Sequence, residues 1–252
     1  MPRLVKQLLY GLLYIAVFIG IPIGIYFALL KPAPTCWDGV QNGKEEGVDC
    51  GGNCPRACIP ANLQPLQAFK GVKVMPLDAA HASVLVEVTN PNVDYAAPQF
   101  WYAIMFTDGT GATSTLSGSS YIYGGEVRDL VFPNLAFEGD AVKEAAAVFS
   151  VPQWVPASVW RRPALRIQHA ATERKDGQLG VVGELVNDDS TGFPSVEVVA
   201  VFRGRFGEVA GVSRTVLENV LPGEPRAFTV LHPDIPGAEL GATNVALSAV
   251  RR

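Results

Sequence analysis

From residue 8 to residue 30 the chain runs LLYGLLYIAVFIGIPIGIYFALL without one charged side chain. No other stretch restricts the fold as much. A helix over this run is about 35 Å long at ~1.5 Å per residue, enough to cross a hydrocarbon core of about 30 Å. A charge-free run of that length has no use inside a small soluble domain, so the rest of the chain reads as cargo held on one side of a lipid bilayer by residues 8–30. Pro22 lies within the run, where a membrane helix tolerates proline because neighbouring groups satisfy the freed carbonyl; a kink is expected there, not an end. Gly20 and Gly24 make a G-x-x-x-G spacing that lets helices approach closely, although glycine is common in membrane helices on its own account.

The flanks set the orientation. Arg3 and Lys6 precede the run, whereas only Lys31 closes it before a stretch containing Asp38, Glu45, Glu46 and Asp49. Positive charge stays on the cytoplasmic side, which places residues 1–7 inside and the bulk of the chain outside the cell membrane. A cleaved secretory signal would have an apolar region of about 7 to 15 residues followed by a small-x-small site; here Ala28-Leu29-Leu30-Lys31-Pro32 follows. Net charge is -4 with 17% charged residues, which gives no basic face for nucleic acid. The 25 glycines and 19 prolines are dispersed, the pattern of strands and turns. The expected fold class is mainly β: a single transmembrane helix, a small Cys-rich segment at 31–60, and two tandem antiparallel β-sandwiches at 64–151 and 162–252.

Residues 31–34, Lys-Pro-Ala-Pro, read as a short stiff spacer. All four cysteines then fall together in CWDGVQNGKEEGVDCGGNCPRAC as Cys36, Cys50, Cys54 and Cys58. So small a segment cannot bury a core and needs staples. Outside the cytosol an even cysteine count reads as two disulfides, with three pairings open. Closing the loop between Cys36 and Cys50 would contribute about 3 kcal/mol in the chain-entropy model. A four-thiolate zinc site is the rival, but such sites usually pair C-x2-C to C-x4-C units across a longer loop. Asp38, Asn42, Glu45 and Asp49 offer the hard oxygen ligands calcium takes; their spacing is not an EF-hand loop, and solvated turn residues are the plainer reading.

The segment resembles a short Cys-rich motif, C-x-D-G-x-x-N-x-x-E-x-G-x-D-C-G-G-x-C, of bacterial surface and secreted proteins, matched at Cys36, Asp38, Gly39, Asn42, Glu45, Gly47, Asp49, Cys50, Gly51, Gly52 and Cys54. The resemblance implies a surface location and no activity.

Beyond a polar linker at 61–67, two stretches of similar length repeat weakly. VLVEVTNPN, FWYAIMFTDGTG and YIYGGEVRDLVF in the first answer to GVVGELVND, VEVVAVFRGRFG and VLPGEPRAFTV in the second, with Asn90 matching Asn187 and Glu126 matching Glu224. The alternation is that of strands. Val84, Val86 and Val88 face away from Leu85, Glu87 and Thr89; Val196, Val198 and Ala200 face away from Glu197, Val199 and Val201. Turn signals stand at Asp108-Gly109, Gly124-Gly125, Gly204 with Gly207, and Pro222-Gly223. Each unit is expected to form a sandwich of roughly seven strands. The first, with Asn90-Pro91-Asn92 ending a strand, is similar to late-embryogenesis-abundant type 2 and water-stress domains; the second, with Gly183 to Asn187 and Leu221-Pro222-Gly223-Glu224, looks like FxLYD-type envelope domains. It departs from that pattern at Phe202-Arg203-Gly204-Arg205. These resemblances imply an immunoglobulin-like or fibronectin-like fold and no enzymatic activity.

Residues 151–163, VPQWVPASVWRRP, join the units. Trp154, Trp160, Arg161 and Arg162 there could form an exposed interaction patch, since tryptophan and arginine are enriched in hot spots; alternatively both tryptophans pack between the sandwiches. Tyr121 and Tyr123, with Trp101 and Tyr102, suggest either a carbohydrate-stacking face or ordinary cross-strand pairs. Catalytic signals are absent from the sequence. His81, His169 and His232 are scattered, none lies in H-E-x-x-H, no serine lies in G-x-S-x-G, and Gly109-Thr110-Gly111 is a hairpin turn, not a phosphate cradle. Each histidine reads as a surface or turn residue, Asp188-Asp189 as a loop. The expectation is a non-enzymatic envelope protein without cofactor that binds another envelope protein, with glycan or ligand binding as the alternative.

Overall fold

The computed structural model describes residues 2–30, 33–78, 80–137 and 142–250. The chain divides into two compact units, Met1–Cys58 and Ile59–Arg252. In the first, helix α1 (Arg3–Ile25) starts five residues before the charge-free run and passes through Pro22 without ending. Four residues later the winding loosens into a π-helical turn, Tyr26–Leu30, a common adjustment where the i to i-4 ladder is disturbed. None of α1 is buried, although it is strongly apolar. It is long and apolar enough to cross a membrane, a property that anchors and signal sequences share. Lys31 and Pro32 of the expected spacer lie outside the described residues.

The Cys-rich segment has almost no regular structure and is closed by two interleaved disulfides, Cys36–Cys54 and Cys50–Cys58. The Cys36–Cys50 loop is therefore not the one that is closed. Sequence separations of 18 and 8 give about 3 and about 2.5 kcal/mol of chain-entropy stabilisation. The Gly-Gly pair is demanded by crowding: both residues have positive φ, and a Cβ on Gly52 would lie 1.7 Å from the Lys44 carbonyl oxygen. Alkylation without reductant should label no thiol, and four after reduction in denaturant; labelling of the unreduced chain would refute the pairing.

The second unit holds both sandwiches. The first comprises β1 (Gln67–Pro76), β2 (His81–Thr89), β3 (Tyr95–Thr107), β4 (Thr113–Ile122), β5 (Val127–Ala136) and β6 (Glu144–Phe149), in sheets ordered β1-β2-β5 and β4-β3-β6. A two-residue strand, β7 (Val155–Pro156), pairs with the start of β3. The second comprises β8 (Leu165–Lys175), β9 (Gln178–Asn187), β10 (Phe193–Arg203), β11 (Val209–Val220), β12 (Pro225–Pro233) and β13 (Asn244–Ser248), in sheets β8-β9-β12 and β11-β10-β13. All pairings are antiparallel. Among the described residues six main strands form each sandwich, and the two-residue β7 adds a seventh to the first, against the roughly seven expected of each.

The two sandwiches are one design used twice. A bulge interrupts β1 between Phe69 and Val72 and β8 between Gln168 and Ala171, with Lys70 and His169 both at positive φ. Each sandwich fills with the face the alternation assigned to it: Val84, Val86 and Val88 meet Phe100 and Ile104 in the first, and Val196, Val198 and Ala200 meet Leu185 and Phe228 in the second. The opposite faces are not left to water. Met75, Leu85 and Val131 of sheet β1-β2-β5 pack on Val199, Val201 and Val212 of sheet β11-β10-β13, forming a third core between the sandwiches. This explains why β10 is apolar on both faces.

Charged residues border this third core. Asp129 pairs in register with Glu87, which holds Lys73 at 2.9 Å. Burial, then Glu87, pushes the Asp129 carboxyl up to about 6 against the opposing pull of Lys73 and Arg203. Because the folded value lies above the unfolded 3.8, the stabilisation present at lower pH is lost as pH rises through about 6. Asp129→Asn should therefore stabilise the chain at pH 7 by about 1 to 2 kcal/mol, discounted for solvent reaching the carboxyl, with no gain at pH 3.5. Urea titrations at the two pH values check this; an equal effect at both would refute it.

Candidate functional site

The joint between the sandwiches gathers the polar and aromatic residues that the third core excludes. Trp160 stacks on Tyr123 with centroids 4.5 Å apart and meets Tyr121 edge-on at 5.5 Å. Both tyrosines cross to the second sandwich: the Tyr121 hydroxyl lies 2.7 Å from Ser248 Oγ, and the Tyr123 hydroxyl donates to the Ala249 carbonyl at 2.8 Å. Burial raises the Tyr121 hydroxyl above its ordinary value, opposed by the Arg128 charge and the Ser248 bond. Tyr121 and Tyr123 thus serve neither as a glycan face nor as a cross-strand pair; spaced two apart, they share one side of the chain and fasten the joint. Glu126 is buried and accepts the Tyr123 N–H at 2.7 Å, while Arg162 approaches its other oxygen at 3.8 Å.

The expected patch does not form as one surface. Trp154 packs against the core of the first sandwich, Trp160 enters the joint, and Arg161 is exposed with its Nε donating to the Ser158 carbonyl; only Arg162 approaches Trp160's surroundings, through Glu126. The two tryptophans therefore pack in different places, one in the first sandwich and one in the joint. Of the two tryptophans expected between the sandwiches, Trp160 alone is there.

The calcium candidates are committed to backbone amides. Asp49 accepts N–H bonds from Asp38 and Gly39 at 3.0 Å; Asp38 accepts from Val40, Thr35 and the Asn42 side chain; Glu45 accepts from the Asn42 N–H. The Asn42 bond, then those from Thr35 and Val40, hold the Asp38 carboxyl below its ordinary value. Among the described residues the one metal-like grouping is Cys36, Glu45 and Cys54, whose two sulfurs are already joined to each other.

The histidines separate. His81 is held in a turn by Asp78 at 2.9 Å and His169 lies exposed beside Glu184. His232 corrects the surface expectation: it is 4% exposed, on the inward face of β12 against Phe202. Its Nδ1 donates to the Pro233 carbonyl at 2.7 Å, and burial lowers its basicity, so it is a neutral core residue. Asp188 engages Arg166 and the Asp189 carboxylate accepts the Ala164 N–H, as loop residues do.

One residue at the joint gave no sequence signal. Arg128, on β5, is 6% exposed, with its guanidinium 3.7 Å over the Tyr121 ring and its Nε donating to Ser120 Oγ at 3.1 Å. It borders a cleft of about 360 Å³ that also includes Ser195, Glu197, Arg214 and Ser248.

No protein-family model and no curated protein matches this chain. Among solved structures it aligns with a red sea bream transglutaminase at 13% identity and a TM-score of 0.24, over 76% of this chain and 32% of that one. The chain thus spans about a third of that enzyme's length, and a likeness this low carries no argument about fold or activity.

Proposed function

We propose that this chain is a single-pass envelope protein, anchored by α1 with its amino terminus in the cytoplasm, whose paired sandwiches form a rigid, non-catalytic module that binds another envelope protein. The observation that carries the reading is the pairing of a wholly unburied apolar helix with a disulfide-closed segment directly after it: the helix calls for lipid and the disulfides for an oxidising compartment. The third core supports a rigid module, since it fixes one sandwich on the other. A non-catalytic reading fits His81 held in a turn by Asp78, His232 buried in the second sandwich and the four cysteines oxidised. Protease added outside intact cells that make the protein should degrade both sandwiches, and the chain should stay with membranes through an alkaline wash. Full protection would overturn the topology; release by the wash would overturn the anchor.

A second reading rests on Trp101. It is 59% exposed on the outer face of sheet β4-β3-β6, beside a shallow hollow formed with Pro98, Val151 and Pro152, and a bare indole face is what sugar stacking uses. Glycan binding abolished by Trp101→Ala would favour it over protein binding.

A further inference from the structure

Arg128 carries a buried positive charge that the fold leaves uncompensated. Among the described residues every other guanidinium bordering the joint has a carboxylate: Arg214 holds Glu197 at 2.6 Å and Arg162 approaches Glu126. Arg128 has none within ion-pair distance, and its Nη1 is buried without a hydrogen-bond partner. Arginine cannot discharge itself by losing a proton, so burial must be offset by partners. The Tyr121 ring covers one face and Ser120 Oγ takes the Nε–H, both of them neutral groups. What remains is the Nη end of the guanidinium, and Arg128 is among the residues that line the cleft.

We propose that this cleft binds a carboxylate, with the Arg128 guanidinium as its principal donor. A carboxylate fits the planar fork, and its two oxygens match two parallel N–H groups. The charges bordering the cleft, Arg128 and Arg214 against Glu197, leave one net positive charge, which suits a monoanion and disfavours a doubly charged phosphate. Ser195 adds a hydroxyl able to donate to the same ligand, and of the Tyr121 and Ser248 hydroxyls, bonded to each other at 2.7 Å, one keeps a proton to offer. A volume of about 360 Å³ admits a small acid or a single acidic side chain, not a folded partner. The inference does not depend on the membrane reading, since every residue in it belongs to the sandwiches.

The test uses the full chain in detergent micelles and follows the unfolding midpoint against acetate, with chloride at equal ionic strength as reference. Acetate should raise the midpoint saturably, and inorganic phosphate should act more weakly. Arg128→Lys keeps the charge but loses the fork and should weaken the apparent affinity about tenfold or more. Should Arg128→Lys fail to fold, Ser195→Trp, at an exposed position lining the cleft, keeps Arg128 itself, fills the cleft and should abolish the acetate response. An N-acetyl aspartate amide separates the sources: tighter binding than acetate points to a partner's acidic side chain, equal binding to a free small acid, and either supports the site. A midpoint that responds identically to acetate and chloride overturns the proposal, as does undiminished acetate affinity in folded Arg128→Lys or an acetate response that persists in folded Ser195→Trp.

Discussion

Val201→Asp is expected to destabilise the second unit by about 3 to 5 kcal/mol, among the largest effects open to a single substitution in this chain. Val201 is 3% exposed in the third core, opposite Val212 on one side and Asn244 on the other. Among the described residues the cations bordering this core are already engaged, Arg203 donating its Nη1 to the Gly207 carbonyl at 3.0 Å and Lys73 pairing with Glu87 at 2.9 Å. The new group must stay ionised and poorly hydrated or take up a proton at a cost in free energy. The cores inside the two sandwiches are built from other faces and stay intact, so the damage should fall on their union. Denaturant unfolding should split from one transition into two, and the linker at 150–164 should become open to protease. Val216→Asp, at a position 50% exposed on β11, is the control and should change stability by about 0.5 kcal/mol or less. Equal losses in the two variants would remove the third core as an energetic feature.

That core was half visible in the sequence. Alternation separated Val196, Val198 and Ala200 from Val199 and Val201, and the structure keeps the division; the second apolar face was the sign that something covers it, but the covering residues Met75, Leu85 and Val131 lie too far away in the chain for periodicity to find. Turn residues marked the hairpins because their chemistry is local, as at Asp108, whose carboxylate accepts the Thr110 and Ala112 amides. Disulfide pairing was not legible: the loop-closure term grows only with the logarithm of loop length, so the three pairings differ too little to rank. His232 and Arg128 escaped for one physical reason. Both are polar residues at inward positions of strands, and burial depends on which strand lies opposite. The joint is the extreme case, since Tyr121 meets Ser248 across a separation of 127 residues.

Asn187→Asp should destabilise the second sandwich by about 2 to 4 kcal/mol at pH 7, and part of that loss should return as pH falls. Asn187 is fully buried; its amide donates to the Thr191 carbonyl at 2.8 Å and, more weakly, to Val220 at 3.4 Å, while its Oδ1 accepts the Asp189 N–H at 3.0 Å. Asn90 does the same work in the first sandwich, donating to Tyr95 and Tyr123 and accepting from Asn92. In both repeats the reach is 33 residues to the far carbonyl and 2 to the bonded amide. The asparagine ties the end of one sheet to a strand of the other, at the corresponding place in each sandwich. A carboxylate of the same shape turns an acceptor toward two carbonyls and raises its own pKa, so protonation at low pH restores a donor. Asn187→Ala removes the group outright and should cost a similar amount without recovering in acid. Urea titrations of both variants at pH 7 and pH 5 separate the outcomes. Native-like stability of Asn187→Asp at pH 7 would show that the asparagine is not a fastening.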